Sequence, residues 1–347
     1  MDKPKGARAE DSAALLELAE ASIGSRVLQI VAELGIADHF PEGPAEPGWL
    51  AARTGADEDT LVSFLRLLAG HGVFRELPGG TFELTSRGAL LRSDDPSSLR
   101  DVVRLHGFNY PVLEHAGYSL RTGEPAFPSL RGQTFFEHLR DNPGQGTVFG
   151  AAMAGLSRAE REDVLTGYDF SPYRHVVDVG GGDGTLLASI LRTHPEASGT
   201  LFDQPHVVPS AERTRDDLRL HGRMDVVAGD FFTDVVPKGD LHVLKSIIHD
   251  WSRPEAEVIL RHCREAMSDG GRLVLFERVL LPDNAPSQTK SWDVLMRVLL
   301  GGAERTVAEF QDLFESCGLA FEQATRVGPA MFVVEAVRSV STGHAIE

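Results

Sequence analysis

The sequence predicts an α/β protein: a doubly wound, mostly parallel sheet with helices on both faces, preceded by a smaller, mostly helical domain. Three observations predict it. From His175 onward short apolar runs alternate with amphipathic stretches, the rhythm of strand and helix in turn. The front of the chain lacks that rhythm and reads as helix after helix with one hairpin. A chain of 347 residues also suits two domains better than one. The boundary falls at residue 110, giving domains 1–110 and 111–347, with residues 111–168 as helices linking into the second.

Residues 12–40 read as a helix. Leu16, Ile23, Val27, Ile30 and Leu34 recur at helical steps, with Glu20 interrupting the apolar stripe. "PEGPAEPG" at 41–48 breaks the chain. "WLAARTGADEDTLVSFLRLLAGHGVF" then reads as a short helix, a turn and a second helix. Asp57 or Asp59 can cap that second helix, and Gly70 or Gly72 can end it. "FRELPGGTFELTSRGALL" is a hairpin around Pro78-Gly79-Gly80. Helix, turn, helix and hairpin in that order resemble a winged helix. Residues 100–168 are helical, with aromatics and histidines that line a pocket or pack between domains.

In the second domain "HVVDVG", "GTLFD", "MDVVAGD", "DLHVLKSII", "GRLVLFERVL", "AFEQATRV" and "AMFVVEAVR" are the strands. The helices between them are "TLLASILRTH", "VVPSAERTRDDLRL", "PEAEVILRHCREAM", "SQTKSWDVLMRVLL" and "TVAEFQDLFESC". The last two strands are joined only by a short turn at Gly328-Pro329, so that pair is antiparallel.

Composition narrows the function. A formal charge of -17 repels phosphate backbones, and the second helix of the winged module carries one arginine where a base reader needs several cations. The module is therefore expected to pair two chains rather than bind nucleic acid. Cys263 and Cys317 form neither a metal spacing nor a disulfide framework. The first residues lack the apolar core of a signal peptide, and no apolar run is long enough to span a membrane. A cytoplasmic protein with no membrane partner is the expectation.

"VVDVGGGDGTLLASIL" is the strongest single motif. In doubly wound sheets ligands bind beyond the carboxyl ends of the strands. Gly180, Gly181, Gly182 and Gly184 would let a ligand approach bare backbone. A dinucleotide fingerprint fails, because Thr185 stands where its third glycine belongs. Asp178 ahead of the loop would repel a pyrophosphate but suits an ammonium. That points to S-adenosylmethionine (SAM), which has a cationic methionine end and no phosphates. Asp203, about 20 residues on at the next strand end, can accept from ribose hydroxyls. Asp230 at the third strand end can accept from the adenine amino group, with Phe231 over the ring. Acids that merely cap the following helices are the plainer alternative.

"KSIIHDW" puts His249 at the end of the fourth strand, on the same crevice. A phenol is mostly protonated at neutral pH, so its methylation needs a base, and a neutral imidazole can serve. Such an imidazole needs a carboxylate to orient it. Glu277, ending the fifth strand, and Glu304, in "GGAERT", are the candidates. Taken alone, a histidine before Asp-Trp is as well explained by its place beside a helix start. Lys245 either reaches the cofactor or forms a buried ion pair, and Asp250 is read as supporting the next turn.

"VVDVGGGDGTLLASILRTHPEASGTLFDQPHVV", "GDFF", "KSIIHDW", "LFERVLLPDN" and "GGAERT" together resemble the SAM-dependent small-molecule O-methyltransferases of plant phenolic and bacterial natural-product pathways. The resemblance runs in order from about residue 12 to 337. It implies the seven-stranded class I methyltransferase sheet and a metal-independent reaction. It also implies a homodimer built by the N-terminal domain, one chain touching its partner's substrate pocket. SAM contacts would lie at Asp178, Gly180, Gly182, Asp203, Asp230, Phe231, Lys245 and Trp251. His249 would be the base, flanked by Glu277 and Glu304. Phe136, Met153, Trp292 and Met296 would line the pocket for a flat aromatic acceptor, a polyketide-derived phenol or aromatic acid. Ser246 departs from the tryptophan of many plant relatives. The rival readings are a scaffold relative that hydroxylates or decarboxylates, an NAD-dependent dehydrogenase, a metal-assisted catechol-type methyltransferase and a winged-helix DNA regulator.

Overall fold

A computed structural model of the protein describes residues 5–339. Residues 1–4 and 340–347, the outer ends of the two predicted domains, lie outside the described residues. The chain forms two units, Met1–Tyr110 with Thr147–Leu156, and Pro111–Gly146 with Ser157–Glu347. Residues 147–156, read from sequence as part of the linking helices, thus group with the N-terminal unit.

In the first unit α1 (Lys5–Glu33) stops earlier than its apolar stripe suggests. Gly35, at φ 65°, turns the chain into a short 3-10 turn, Ile36–His39. The left-handed conformation suits a glycine and ends a helix. After α2 (Pro47–Thr54), α3 (Glu58–Gly70) is capped by Asp57, whose carboxylate accepts from the Thr60 N–H at 2.9 Å. β1 (Phe74–Glu76) and β2 (Phe82–Leu84) pair antiparallel as the predicted hairpin. Leu50, Leu65, Leu68, Phe74 and Phe82 make its core. The short α4 (Ser86–Ala89) follows, and α5 (Arg100–Glu114) carries the chain out of the unit.

The second unit takes the end of α5, α6 (Ala116–Thr122), α7 (Ala126–Arg131), α8 (Phe135–Asp141) and the two ends of α9 (Pro143–Gly167), residues 143–146 and 157–167. The predicted alternation follows: β3 (His175–Val179), α10 (Thr185–Thr193), β4 (Ser198–Asp203), α11 (Val208–Asp217), β5 (Met224–Ala228) and β6 (Gly239–Lys245). After these come α12 (Arg253–Ala266), β7 (Met267–Arg278), α13 (Gln288–Leu299), α14 (Val307–Ser316), β8 (Leu319–Arg326) and β9 (Met331–Arg338).

The seven strands lie in the order β5-β4-β3-β6-β7-β9-β8. β3 to β7 are parallel, and β9 returns antiparallel between β7 and β8. One face packs Val177, Leu244 and Leu275 with α12 and α14. The other packs Val176, Leu241 and Phe276 with α10. Chain order reverses between β3 and β6, which opens the ligand crevice beyond their carboxyl ends.

Two predicted positions shift. β5 ends at Ala228, so Asp230 lies in the loop beyond it rather than at the strand end. β6 ends at Lys245, so His249 does not end a strand. It sits in a 3-10 turn, Ile248–Asp250. The reason is Ser246, whose φ of 55° takes the backbone out of the extended region.

Candidate active site

The loop after β3 makes one half of the crevice. Gly180 lies at φ 73°, and a Cβ there would stand 2.5 Å from the Ile247 Cδ1. A Cβ on Gly184 would meet the Met224 Cε at 2.7 Å. Those two glycines answer internal packing. Gly182, at φ 61°, would point its Cβ into open space, so it is the point where bare backbone faces the crevice. Its N–H donates to the Asp203 Oδ2 at 2.8 Å, and the Gln204 N–H donates to the Oδ1 at 2.6 Å. Burial raises the Asp203 pKa against those two donors.

Asp178 is 2 % exposed, and its Oδ2 is a buried oxygen without a hydrogen-bond partner. Burial first, and then the Asp203 charge, push its pKa up to about 7. An orphaned buried carboxylate oxygen beneath a glycine loop is a place for a cation or its water. The Asp230 Oδ1 accepts from the Phe232 N–H, which folds the loop so that Phe231 and Phe232 meet the Trp251 ring edge-on at 5.8 and 4.7 Å. Phe136 stacks on Trp251 at 5.5 Å. Asp178, the glycine loop, Asp203, Asp230 and Phe231 thus stand at or just beyond the carboxyl ends of β3, β4 and β5, with Trp251 against Phe231. That donor set fits SAM: acceptors for its ammonium and ribose, and an aromatic edge for its adenine.

The other half is built around the Ile248–Asp250 turn. The turn through Ser246 aims the Ile247 and Ile248 N–H groups at the Glu277 Oε1, 3.0 and 2.7 Å away. A buried carboxylate thereby satisfies two backbone donors that a strand would otherwise have paired. The His249 Nδ1 is 3.0 Å from the Glu304 Oε1 and 3.4 Å from the Glu277 Oε2. Glu277 is fully buried, Glu304 is 1 % exposed and His249 4 %. The two glutamates, equivalent in the sequence reading, therefore differ: Glu304 holds the ring, and Glu277 holds the turn first and the ring second.

The Nε2 faces the Asp250 Oδ1 at 3.3 Å, beyond a good hydrogen bond. Asp250 was read as support for the next turn. The helix that follows is capped instead by Ser252 and Glu255, and Asp250 looks into the cluster. Burial alone would lower the His249 pKa; Glu277, Asp250 and Glu304 outweigh it and push it up to about 9. Burial likewise raises Asp250, to about 7, against the pull of His249. Both shifts describe a cluster that shares protons, with the imidazole cationic at neutral pH and paired to acids.

Trp292 and Met296 lie one helical turn apart on α13. The Trp292 ring runs nearly parallel to His249, 6.3 Å between centroids, and Met296 is buried. Met153 lies on the part of α9 that groups with the N-terminal unit. Lys245 donates to the Glu160 Oε2 at 2.6 Å, the ion-pair alternative of the two readings.

Sequence reasoning missed Glu160, Arg278 and Arg305. Glu160 bridges Lys245 and Arg278, each at 2.6 Å, and Arg278 lies 4.4 Å over the Trp292 ring. The signals were charges beside predicted site residues: Arg278 follows Glu277, and Arg305 follows Glu304. His249, Glu277 and Glu304 also place ligand atoms within 4.8 Å of one another, the one such group among the described residues.

A sheet of this order, with a glycine loop, successive acids and a carboxylate-held histidine along its crevice, defines the class I SAM-dependent methyltransferases. Comparison with known proteins agrees. A model of the O-methyltransferase domain matches residues 114–320, and one of the O-methyltransferase dimerisation domain matches 16–94. The phenazine O-methyltransferase PhzM of Lysobacter antibioticus is 39% identical over 326 residues, 94% of this chain and 96% of that one. The crystal structure of LaPhzM superimposes with a TM-score of 0.89 at 39% identity, covering 95% of this chain and 99% of that one. NcsB1, an O-methyltransferase from neocarzinostatin biosynthesis solved with SAM and 2-hydroxy-5-methyl naphthoic acid, gives 0.79 at 32% identity over 90% and 95%. The chain belongs to the O-methyltransferase family and is a SAM-dependent enzyme carrying that family's dimerisation domain.

Proposed function

We propose that the protein methylates a phenolic hydroxyl of a flat aromatic small molecule in bacterial secondary metabolism, as a homodimer, with His249 as general base. One observation carries the reading: a buried imidazole whose Nδ1 is gripped by Glu304 at 3.0 Å, while its Nε2 faces the Asp250 Oδ1 at 3.3 Å, too long for a good hydrogen bond. SAM, bound along Asp178, Gly180, Gly182, Asp203, Asp230 and Phe231, supplies the methyl group. The remaining work belongs to the chain. Neutral His249 accepts the hydroxyl proton at Nε2 as the oxygen gains its new bond. Glu304 and Glu277 hold the resulting imidazolium, which is why their charges sit at Nδ1. Trp292, its ring nearly parallel to His249, is the aromatic beside the base that a planar acceptor would meet. Glu160 neutralises part of the charge of Lys245 and Arg278.

No metal is required by this scheme. The His249 Nδ1 is engaged by Glu304 and Glu277 instead.

The test is turnover with hydroxynaphthoic acids and hydroxyphenazines, followed by release of S-adenosylhomocysteine with excess chelator throughout. His249→Ala is expected to lose about 10²- to 10⁴-fold in kcat while binding S-adenosylhomocysteine normally. Wild-type turnover in that variant removes the base assignment, and loss of activity in chelator removes the metal-free one.

A further inference from the structure

The Ile248–Asp250 turn is short, buried and carries the imidazole, so each of its backbone groups needs a partner. The Ile247 and Ile248 N–H groups go to Glu277. The Asp250 N–H goes back to the Ile247 carbonyl at 3.1 Å, and the His249 carbonyl accepts from the Ala303 N–H at 2.9 Å. The Ile248 carbonyl accepts only a long bond from the Trp251 N–H, 3.4 Å, and the Trp251 carbonyl lies just beyond the turn. The Arg305 Nη1 donates to the Ile248 oxygen at 2.8 Å, and its Nη2 donates to the Trp251 oxygen at 2.9 Å. Nη1 also reaches the Ala303 oxygen at 3.2 Å.

Arg305 is itself fixed. It is 7 % exposed, bridges Val279 at the end of β7, and accepts from the Leu280 N–H at 2.9 Å through its own carbonyl. Gly302, three residues earlier, packs so closely that a Cβ there would run into the His249 oxygen and the Asp250 carbonyl carbon. The Glu304 N–H is held by the Asp293 Oδ1 at 3.1 Å.

We infer that Arg305 is a positioning residue for the reaction: its planar fork clamps the Ile248 and Trp251 carbonyls, one just before His249 and one just beyond its turn, and so aims the imidazole. A guanidinium suits this task because its two Nη groups diverge in a rigid plane, whereas an ammonium offers one point of contact. The same loop delivers Glu304 to Nδ1, so Arg305 ties the base and its orienting acid into one rigid piece. The inference rests on the assignment of His249 as base.

The experiment compares Arg305→Met, Arg305→Lys and His249→Ala with the wild type, reading kcat, both KM values and S-adenosylhomocysteine affinity. The expected result for Arg305→Met is a kcat loss of about 10²-fold with KM values and product affinity held within about threefold, because a misplacement near 1 Å has that cost in rate. Arg305→Lys should fall between it and the wild type. If kcat of Arg305→Met is unchanged, or kcat and product affinity fall together, the inference is overturned. Should Arg305→Met fail to fold by circular dichroism, Arg305→Lys decides: an intermediate kcat with normal affinity supports the clamp, and wild-type kcat refutes it. The two failures separate cleanly. An active His249→Ala removes the base assignment itself, whereas an inactive His249→Ala beside fully active Arg305 variants removes only the clamp.

Discussion

His249 is surrounded by more acid than it can balance, and that sets how the enzyme should respond to pH. Glu277, Asp250 and Glu304 face the ring from three different segments, with Arg305 as the nearby cation. Burial opposes the charged imidazole, the three acids favour it, and the acids prevail, raising the pKa to about 9. A cationic histidine cannot accept a proton. The rate constant kcat/KM should therefore climb as pH rises toward about 9 and flatten above it. Glu304→Gln gives the sign test. It keeps an acceptor for the Nδ1–H but removes a charge that raises the histidine, so the rising limb should move to lower pH while kcat falls by about tenfold or more. Ionisation of the phenol itself also favours high pH, but it is identical in both enzymes. A pH–rate profile of the two with one acceptor decides: an unmoved limb would mean that another group sets it.

At the scale of elements, the crevice depends on how the β3 loop packs against the His249 turn. Gly180 is where they meet, since its missing Cβ makes room for Ile247, which lies between Lys245 and the turn. Gly180→Ala should suffer twice. The left-handed φ of 73° costs an alanine about 1–2 kcal/mol, and the methyl must displace Ile247. The expected outcome is a lower melting temperature and weakened S-adenosylhomocysteine binding, read by calorimetry. Gly182→Ala has the same backbone strain but an open space ahead of it, so it should weaken product binding at a smaller loss of stability. Equal destabilisation of the two would contradict the division of the loop into packing and binding positions.

The strands of this region were legible because buried parallel strands are continuous apolar runs, and "HVVDV" and "LVLF" can be little else. The exit from β6 was not. "KSII" reads as more strand, and nothing in its composition announces that Ser246 takes a positive φ. Glu277 and Glu304 could be named from sequence, but their division of labour lies in angles and distances. Glu160 and Arg305 escaped because each takes its role from a partner remote in sequence: Arg305 from a turn 57 positions away by its Ile248 contact, and Glu160 from a lysine 85 positions on.

At the scale of the whole molecule, the N-terminal unit poses a different problem from the crevice. Its apolar pattern was read as one long helix with a stripe, and that stripe does enter the unit's own core through Val27, with Val31 beside it. The earlier part does not. Leu15, Leu16, Leu18 and Ile23 of α1 are 68, 62, 73 and 58 % exposed in the single chain. Large apolar side chains clustered on one exposed stretch mark a surface that another protein covers, and each costs roughly 25 cal/mol for every Å² left in water. The dimerisation domain matched over 16–94 includes three of the four and starts one residue after Leu15, so a second copy of this chain is the natural cover. Arg66 is bound to Glu76 and Arg75 to Glu83, so cations on the helix and hairpin that a nucleic-acid reader would use are spent on carboxylates. Leu16→Asp combined with Leu18→Asp places two charges in the proposed interface. Light scattering behind a sizing column should then show a dimer for the wild type and a monomer for the double variant. The second unit has its own core, so the variant should still bind S-adenosylhomocysteine. A dimer that survives both charges would mean that α1 is not the seam and that its leucines serve some other partner.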